Sequence, residues 1–446
     1  MKNKKYLKKL ELLAPAGSLD KMKTALAFGA DAVYLGIPDF SLRVRINNFD
    51  MKQIQEALEY CHQQKKKIYV TANIFAHNRH LPELKKYIHD LKKMGVDAII
   101  AADPGVISVI KKVWPNCEIH LSTQANCTNW QAAKFWYEQG VKRVVLGREV
   151  TLSEIREIKK KVPKLELEYF IHGAMCMAYS GRCFLSKHFV DRSGNLGDCV
   201  QPCRWKYDSQ VSINDYELKI SDEKRSNSFL EVVEEKHGSY ILNSKDLMLL
   251  DYLGELIEAG VTSFKIEGRA KSAYYQAMVA GIYREALDLF LDKQQGATKK
   301  IGQMKKDLEK KIVNRGFTSG FLLGGKADED SINTHQQIDW EFCGQKHSAN
   351  SASDMSASSS KKISGKFLSE IKVHNVIKQG DEVEVVMPFY TIRKIKIKKM
   401  YELNGEEVKE AHGGQDKRIL LETNFAIPEW TVLRRKLLNN PDSRNK

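Results

Sequence analysis

The chain has 446 residues, too many for one compact core, so two or three domains are expected. Its hydrophobic share of 42% suits a globular protein, and no uninterrupted apolar run approaches the roughly 18 residues that a membrane-spanning helix needs. Lys and Arg number 71 against 56 Asp and Glu, a net charge of +15 that favours an anionic partner such as nucleic acid; a Lys-rich proteome is the bland explanation.

The opening MKNKKYLKKLELLAPAG carries lysines but no apolar segment ahead of the first strand-like run, so no signal peptide is expected and the chain is expected to stay in the cytoplasm. Leu10–Ala14 is a short apolar run closed by Pro15 and Gly17, and Ser18 is placed to cap the helix that follows. This β/α unit recurs. Strand-like runs at Ala32–Gly36, Lys67–Asn73, Ala98–Asp103, Glu118–Gln124, Arg143–Glu149 and Leu165–His172 alternate with amphipathic helices. A helix over Asp246–Gly260 then leads to an eighth strand at Ser263–Gly268. Eight units, with no GxGxxG after the first strand, predict a TIM-like (β/α)8 barrel over residues 1–295 rather than a doubly wound sheet.

Such barrels carry their chemistry at the C-terminal ends of the strands. That position singles out Asn73, Asp103, Gln124, Arg148, Glu149, His172, Glu267 and Arg269. Arg43 and Arg45, in the loop after the second strand, are placed to reach an anionic ligand from the same face. A satisfied buried histidine is the plain alternative for His172, and a surface salt bridge for Glu267 with Arg269.

Residues 166–204 hold four of the eight cysteines: Cys176, Cys183, Cys199 and Cys203. Four thiolates converging on one point repel unless something neutralises them, so the cluster reads as disulfides or a tetrathiolate metal site. A cytoplasmic chain argues against disulfides. Zinc sites usually bring a two-residue Cys spacing, which is missing, while iron–sulfur ligation tolerates long irregular ones. Iron–sulfur, zinc and buried free cysteines all stay open on spacing alone.

Residues 208–238, with eight acidic and four basic side chains, read as a surface insertion. Residues 296–347 read as a basic linker helix and extension; Gly320–Lys326 imitates a phosphate loop but has Ala327 where a metal-binding hydroxyl belongs. The Ser-rich 348–362 stretch marks a linker. Beyond it, 363–446 shows short alternating runs joined by Gly turns, the pattern of a small C-terminal β-barrel or sandwich. Within it Arg393, Lys394, Lys396 and Lys398 alternate with isoleucines, so one strand face is expected to be cationic and to suit an RNA backbone.

The run from Glu168 through His172, Gly173, Cys176, Gly181 and Cys183 to Ser186 resembles the signature of the peptidase U32 family. Cys199-Val-Gln-Pro-Cys203-Arg204, Asn243-Ser-Lys-Asp246 and Phe264-Lys-Ile-Glu267-Gly-Arg269 are similar to the branch that holds bacterial tRNA 5-hydroxyuridine hydroxylases. The resemblance implies a [4Fe-4S] cluster on Cys176, Cys183, Cys199 and Cys203 in a barrel with an added C-terminal domain. It also implies tRNA as substrate and prephenate as cosubstrate, a small dicarboxylate for which Arg148, Arg182 and Arg269 are placed as partners and Glu267 as acid/base. Two other classes compete. A peptidase is argued against by the lack of HExxH and GxSxG and by cysteines that a metal would consume; an iron–sulfur chaperone would bind a cluster without turnover. A ribosomal RNA base is the alternative target.

Overall fold

The computed structural model describes residues 10–38, 40–42, 49–176, 178–204, 243–292, 296–325, 328, 338–346 and 365–437, with the backbone alone of 220–221, 229–230 and 361–363. Arg43 and Arg45 lie outside the described residues.

Strands β1 (Glu11–Pro15), β2 (Ala32–Gly36), β3 (Lys67–Ala72), β4 (Ala98–Ala101), β5 (Ile119–Leu121), β6 (Arg143–Val145) and β7 (Glu166–Gly173) follow one another around a parallel sheet. Helices α1 (Leu19–Ala27), α2 (Met51–Gln63), α3 (Leu81–Met94), α4 (Pro104–Val113), α5 (Trp130–Glu138) and α6 (Leu152–Lys161) connect them. Local chemistry starts these helices as the sequence suggests: the Ser18 hydroxyl accepts from the Lys21 amide, and Asp50 with Gln53 and Thr151 with Glu154 form capping boxes. Asp103 is the cap of α4.

After β7 the chain makes a long excursion. It contains the cysteine segment with the short helix α7 (Leu185–Val190), a two-stranded pair of β8 (Ile220–Ser221) and β9 (Phe229–Leu230), β10 (Asp246–Met248) and α8 (Leu253–Glu258). Then β11 (Val261–Ile266) inserts parallel between β7 and β1, and eight strands close the barrel. Helices α9 (Ala273–Asp292) and α10 (Ala297–Lys311) and the short strand β12 (Phe317–Thr318) follow. The helix expected over Asp246–Gly260 is thus shorter and preceded by a strand. Asp246–Met248 is held extended against the end of β7, and the Asp246 carboxylate takes a buried ion pair from Arg315.

The C-terminal unit is an antiparallel sheet. Its elements are β13 (Trp340–Gln345), β14 (Lys361–Ile363), β15 (Lys366–Val373), β16 (Ile377–Lys378), β17 (Glu382–Met387), β18 (Thr391–Lys396), β19 (Met400–Tyr401), β20 (Glu407–Val408), β21 (Glu410–Ala411), β22 (Arg418–Thr423) and β23 (Val432–Lys436). The pairings run β18-β17-β23-β13-β15-β22-β19-β20, with β14 on β15 and β16 with β21 apart. The domain boundary drawn from the Ser-rich stretch is therefore corrected: β13 precedes that stretch yet sits between β23 and β15.

This sheet is docked on the barrel's helices by a buried charge cluster. Arg434, fully buried, donates from Nε to Glu384 at 2.8 Å and stands 3.5 Å from Asp307 of α10. Lys311 reaches the same Glu384 at 3.0 Å, Tyr390 donates to Asp307, and Gln345 donates to Thr24 of α1 at 2.8 Å.

Candidate active site at the barrel mouth

The barrel interior is not purely apolar. Glu168 on β7, with no exposure, accepts from Lys265 of β11 at 2.7 Å and from Arg143 of β6 at 3.2 Å, and Arg143 also binds Glu11 and Glu166. Burial alone would push the Glu168 carboxyl up, but Lys265 and Arg143 outweigh it and hold it at about 2. The Lys265 ammonium lies 4.4 Å from the centre of the Tyr34 ring. Upward from this layer the barrel opens into a cavity of about 740 Å3.

Most of the strand-end residues meet there. The Arg148 guanidinium carbon stands 3.8 Å from the centre of the Phe170 ring and the group 4.0 Å from Glu267, whose carboxylate is also 3.5 Å from the Tyr34 hydroxyl. Asn73 donates to Ser122 at 3.2 Å and accepts from the Leu42 amide. Gln124 donates to Ser180 at 2.8 Å, tying the cysteine segment to the wall of the barrel. Arg269 donates to the Leu42 carbonyl, and Arg182 sits over Phe75 at 5.6 Å. All six of these polar residues line the cavity, as do Lys265 and Tyr34, which lie one layer deeper than strand ends and so escaped a reading based on those ends.

His172 does not line the cavity, and its assignment as a catalytic group is corrected. Glu168 and Phe170 point inward along β7, so alternation would turn His172 inward too. A register irregularity between Lys265 and Ile266 breaks the alternation, and the ring faces outward among Tyr275, Tyr283 and Phe317. Burial, then the charge of Lys271, pull its pKa down to about 3, so it is neutral at physiological pH. The next residue must be glycine: Gly173 has φ +109, and a Cβ there would lie 2.5 Å from the Glu267 carbonyl oxygen. The buried neutral ring predicts a pH effect. An unfolded histidine binds a proton near pH 6.5 and the folded one does not until about 3, so its contribution to stability is full above 6.5 and lost as pH falls through that window. A His172→Gln variant is expected to show a flatter stability profile there by urea unfolding, and unchanged slope refutes the assignment.

Cys176, Cys183, Cys199 and Cys203 all line the same cavity. Cys176 and Cys199 are exposed and the other two half-buried. Burial pushes the Cys203 thiol up, against the opposing charge of Arg204. Among the described residues no three His, Cys, Asp or Glu side chains stand in metal-holding geometry, so the thiols share the cavity without being drawn onto one point. By donor type the four thiols suit a soft metal centre, with Arg182 and Arg204 on the same lining to offset the negative charge of thiolates, while Arg192 is paired with Asp198. Cys61, Cys117, Cys127 and Cys343 are buried elsewhere, each thiol pushed to about 12 by burial.

Away from the cavity, Arg393, Lys394, Lys396 and Lys398 are exposed on β18, at the end of the sheet, and on the segment after it. The expected alternation is imperfect, since Arg393 and Lys394 are adjacent and both exposed while Ile392 and Ile395 are half-buried. The basic helix α10 spends much of its charge internally: Lys300 pairs with Glu285, Lys305 with Asp251 and Lys311 with Glu384. No helix among the described residues is long and apolar enough to cross a membrane.

Comparison with known proteins places this geometry. Residues 17–332 match the model of peptidase family U32, and 357–434 match that of the peptidase family U32 C-terminal domain. The chain is 37% identical to tRNA hydroxylation protein P of Haemophilus influenzae over 98% of both chains, and 38% identical to tRNA hydroxylation protein P of Escherichia coli over 85% of this chain and 86% of that one. It is 36% identical to the 23S rRNA 5-hydroxycytidine C2501 synthase of Escherichia coli, over 72% of this chain and 46% of that one. The cysteine-lined barrel and the sheet behind it make one assembly, and the chain belongs to peptidase family U32.

Proposed function

We propose that the protein is a cytoplasmic RNA-modifying enzyme that hydroxylates carbon 5 of the wobble uridine of tRNA, with prephenate as cosubstrate and a [4Fe-4S] cluster on Cys176, Cys183, Cys199 and Cys203. One observation carries the site: four thiols and a set of cations face a single cavity at the barrel mouth. Its lining holds six Lys or Arg (148, 182, 192, 204, 265, 269) against two acids (198, 267), so it favours an anion. Arg148, Arg182 and Arg269 suit the two carboxylates of the cosubstrate. Glu267, held between Arg148 and the Tyr34 hydroxyl, is placed to move a proton. A bound cluster would supply a redox or Lewis-acid centre. An anticodon loop is already unpaired, so presenting its base costs less than flipping one from a duplex. The likeness to proteins named for tRNA hydroxylation supports this choice of substrate.

Nucleoside mass spectrometry on a deletion strain tests it. Loss of 5-hydroxyuridine derivatives from tRNA is expected; a change confined to ribosomal RNA moves the substrate, and unchanged RNA with lost peptide cleavage returns the case to a peptidase. The exposed Arg393, Lys394, Lys396 and Lys398 carry a second expectation. Their fourfold change to Glu is expected to weaken tRNA binding and to lower the log–log salt slope by about one unit per lost phosphate contact. Equal affinity and slope refute a role in binding tRNA.

A further inference from the structure

The cysteine segment carries a surface that the proposed chemistry does not use. Of the ten large hydrophobic side chains exposed among the described residues, four fall between positions 179 and 190: Tyr179, Phe184, Phe189 and Val190. Phe184 is 71% exposed and Tyr179 54%. The short helix α7 is built inside out. Its buried residue is Ser186, whose hydroxyl accepts from the Val200 amide at 3.1 Å and donates to the Asp198 carbonyl at 3.4 Å. An Arg192–Asp198 ion pair braces the same turn. Polar bonds therefore fasten the segment while its rings face outward, the reverse of an ordinary amphipathic helix.

Polar and basic groups stand among these rings. Arg182, Lys187 and His188 are exposed between Tyr179 and Phe189, Lys187 pairs with Asp191, and Tyr179, Arg182, Phe184 and His188 also line the cavity mouth. Flat rings spaced by positive groups are the complement of an unpaired nucleic-acid strand, in which bases alternate with phosphates.

From this arrangement we infer that Tyr179, Phe184 and Phe189 form a stacking platform for unpaired RNA bases next to the nucleotide that enters the cavity. The inference rests on the RNA reading above and adds where the strand is held. Bases stack on the rings, while Lys187, which pairs with Asp191 in the free protein, exchanges that carboxylate for an intervening phosphate. Because every base has a π-face, the platform holds the strand without reading its sequence.

The test uses the full chain and its Phe184→Ala/Phe189→Ala variant, titrated by fluorescence anisotropy with a short oligouridine RNA and with an abasic strand of equal phosphate count. The variant is expected to lose about tenfold or more in affinity for oligouridine. Its affinity for the abasic strand and its salt slope are expected to stay unchanged. Phe184→Tyr, which keeps a ring, is expected to bind oligouridine within about twofold of the unaltered chain. Unaltered binding by the double variant, or an equal loss on both strands, overturns the platform. So does a wild-type dimer in sedimentation that the variant dissolves, since the rings then face a second copy. Abasic discrimination with an unchanged nucleoside profile in the deletion strain would keep the platform and remove the hydroxylation reading; loss of 5-hydroxyuridine in that strain with no abasic discrimination would do the reverse.

Discussion

Replacing Glu168 by Gln is expected to lower the unfolding free energy by about 3 kcal/mol or more, the largest loss from any single isosteric change in the barrel. The carboxylate is fully buried and faces both Lys265 and Arg143. Arg143 retains Glu11 and Glu166, but Lys265 keeps only the Tyr34 and Phe170 rings among its close partners. A buried ammonium without its anion is costly, so the variant should unfold at lower urea with little change in m. The sign of the pH effect follows. An unfolded glutamate titrates near 4.5 and the folded one near 2, so this contribution is complete above about 4.5 and is lost as pH falls through 2. The variant is expected to lack that part of the acid slope. A loss below about 0.5 kcal/mol would mean that the network is not a closed one.

Cys183→Ala is expected to abolish the proposed metal centre. Anaerobically purified wild-type protein should be brown, absorb broadly near 400 nm and contain about four irons, and the variant should be bleached. Changing Cys61, Cys117, Cys127 or Cys343 should leave the colour, since those thiols are buried away from the cavity. Colourless wild-type protein holding one zinc would refute the assignment. Because the proposed ligands sit on a segment fastened by polar bonds and not by an apolar core, loss of metal is expected to disturb that segment more than the barrel, whose melting should shift little.

The barrel was legible because its strands are short, apolar and evenly spaced, and because Ser18, Asp50 and Thr151 announce their helices. The cavity was legible in part, since position at a strand end is a property of the chain order. His172 was misread for a local reason: one irregularity in the β7 ladder turns its side chain over, and no residue pattern announces it. Lys265, Glu168 and Arg143 sit inside the strands, where a charged residue looks like a break in an apolar run until its partners on other strands are known. Strand β10 was read as helix because the partners that hold it extended, the end of β7 and the later strand β12 with Arg315, are about 70 residues away in the chain.

The place of β13 has a consequence for how the two halves can be separated. The matches to the two family models end at 332 and resume at 357, and Trp340–Gln345 falls in the gap between them. A fragment begun at 357 would lack a strand from the middle of its own sheet, leaving the facing sides of β15 and β23 as raw edges open to another chain. Such a fragment is expected to aggregate or swap strands, whereas one begun at about 338 keeps the sheet whole. The C-terminal unit is thus stitched to the barrel by backbone as well as by Arg434, and a break in the Ser-rich stretch would leave both pieces clasped together.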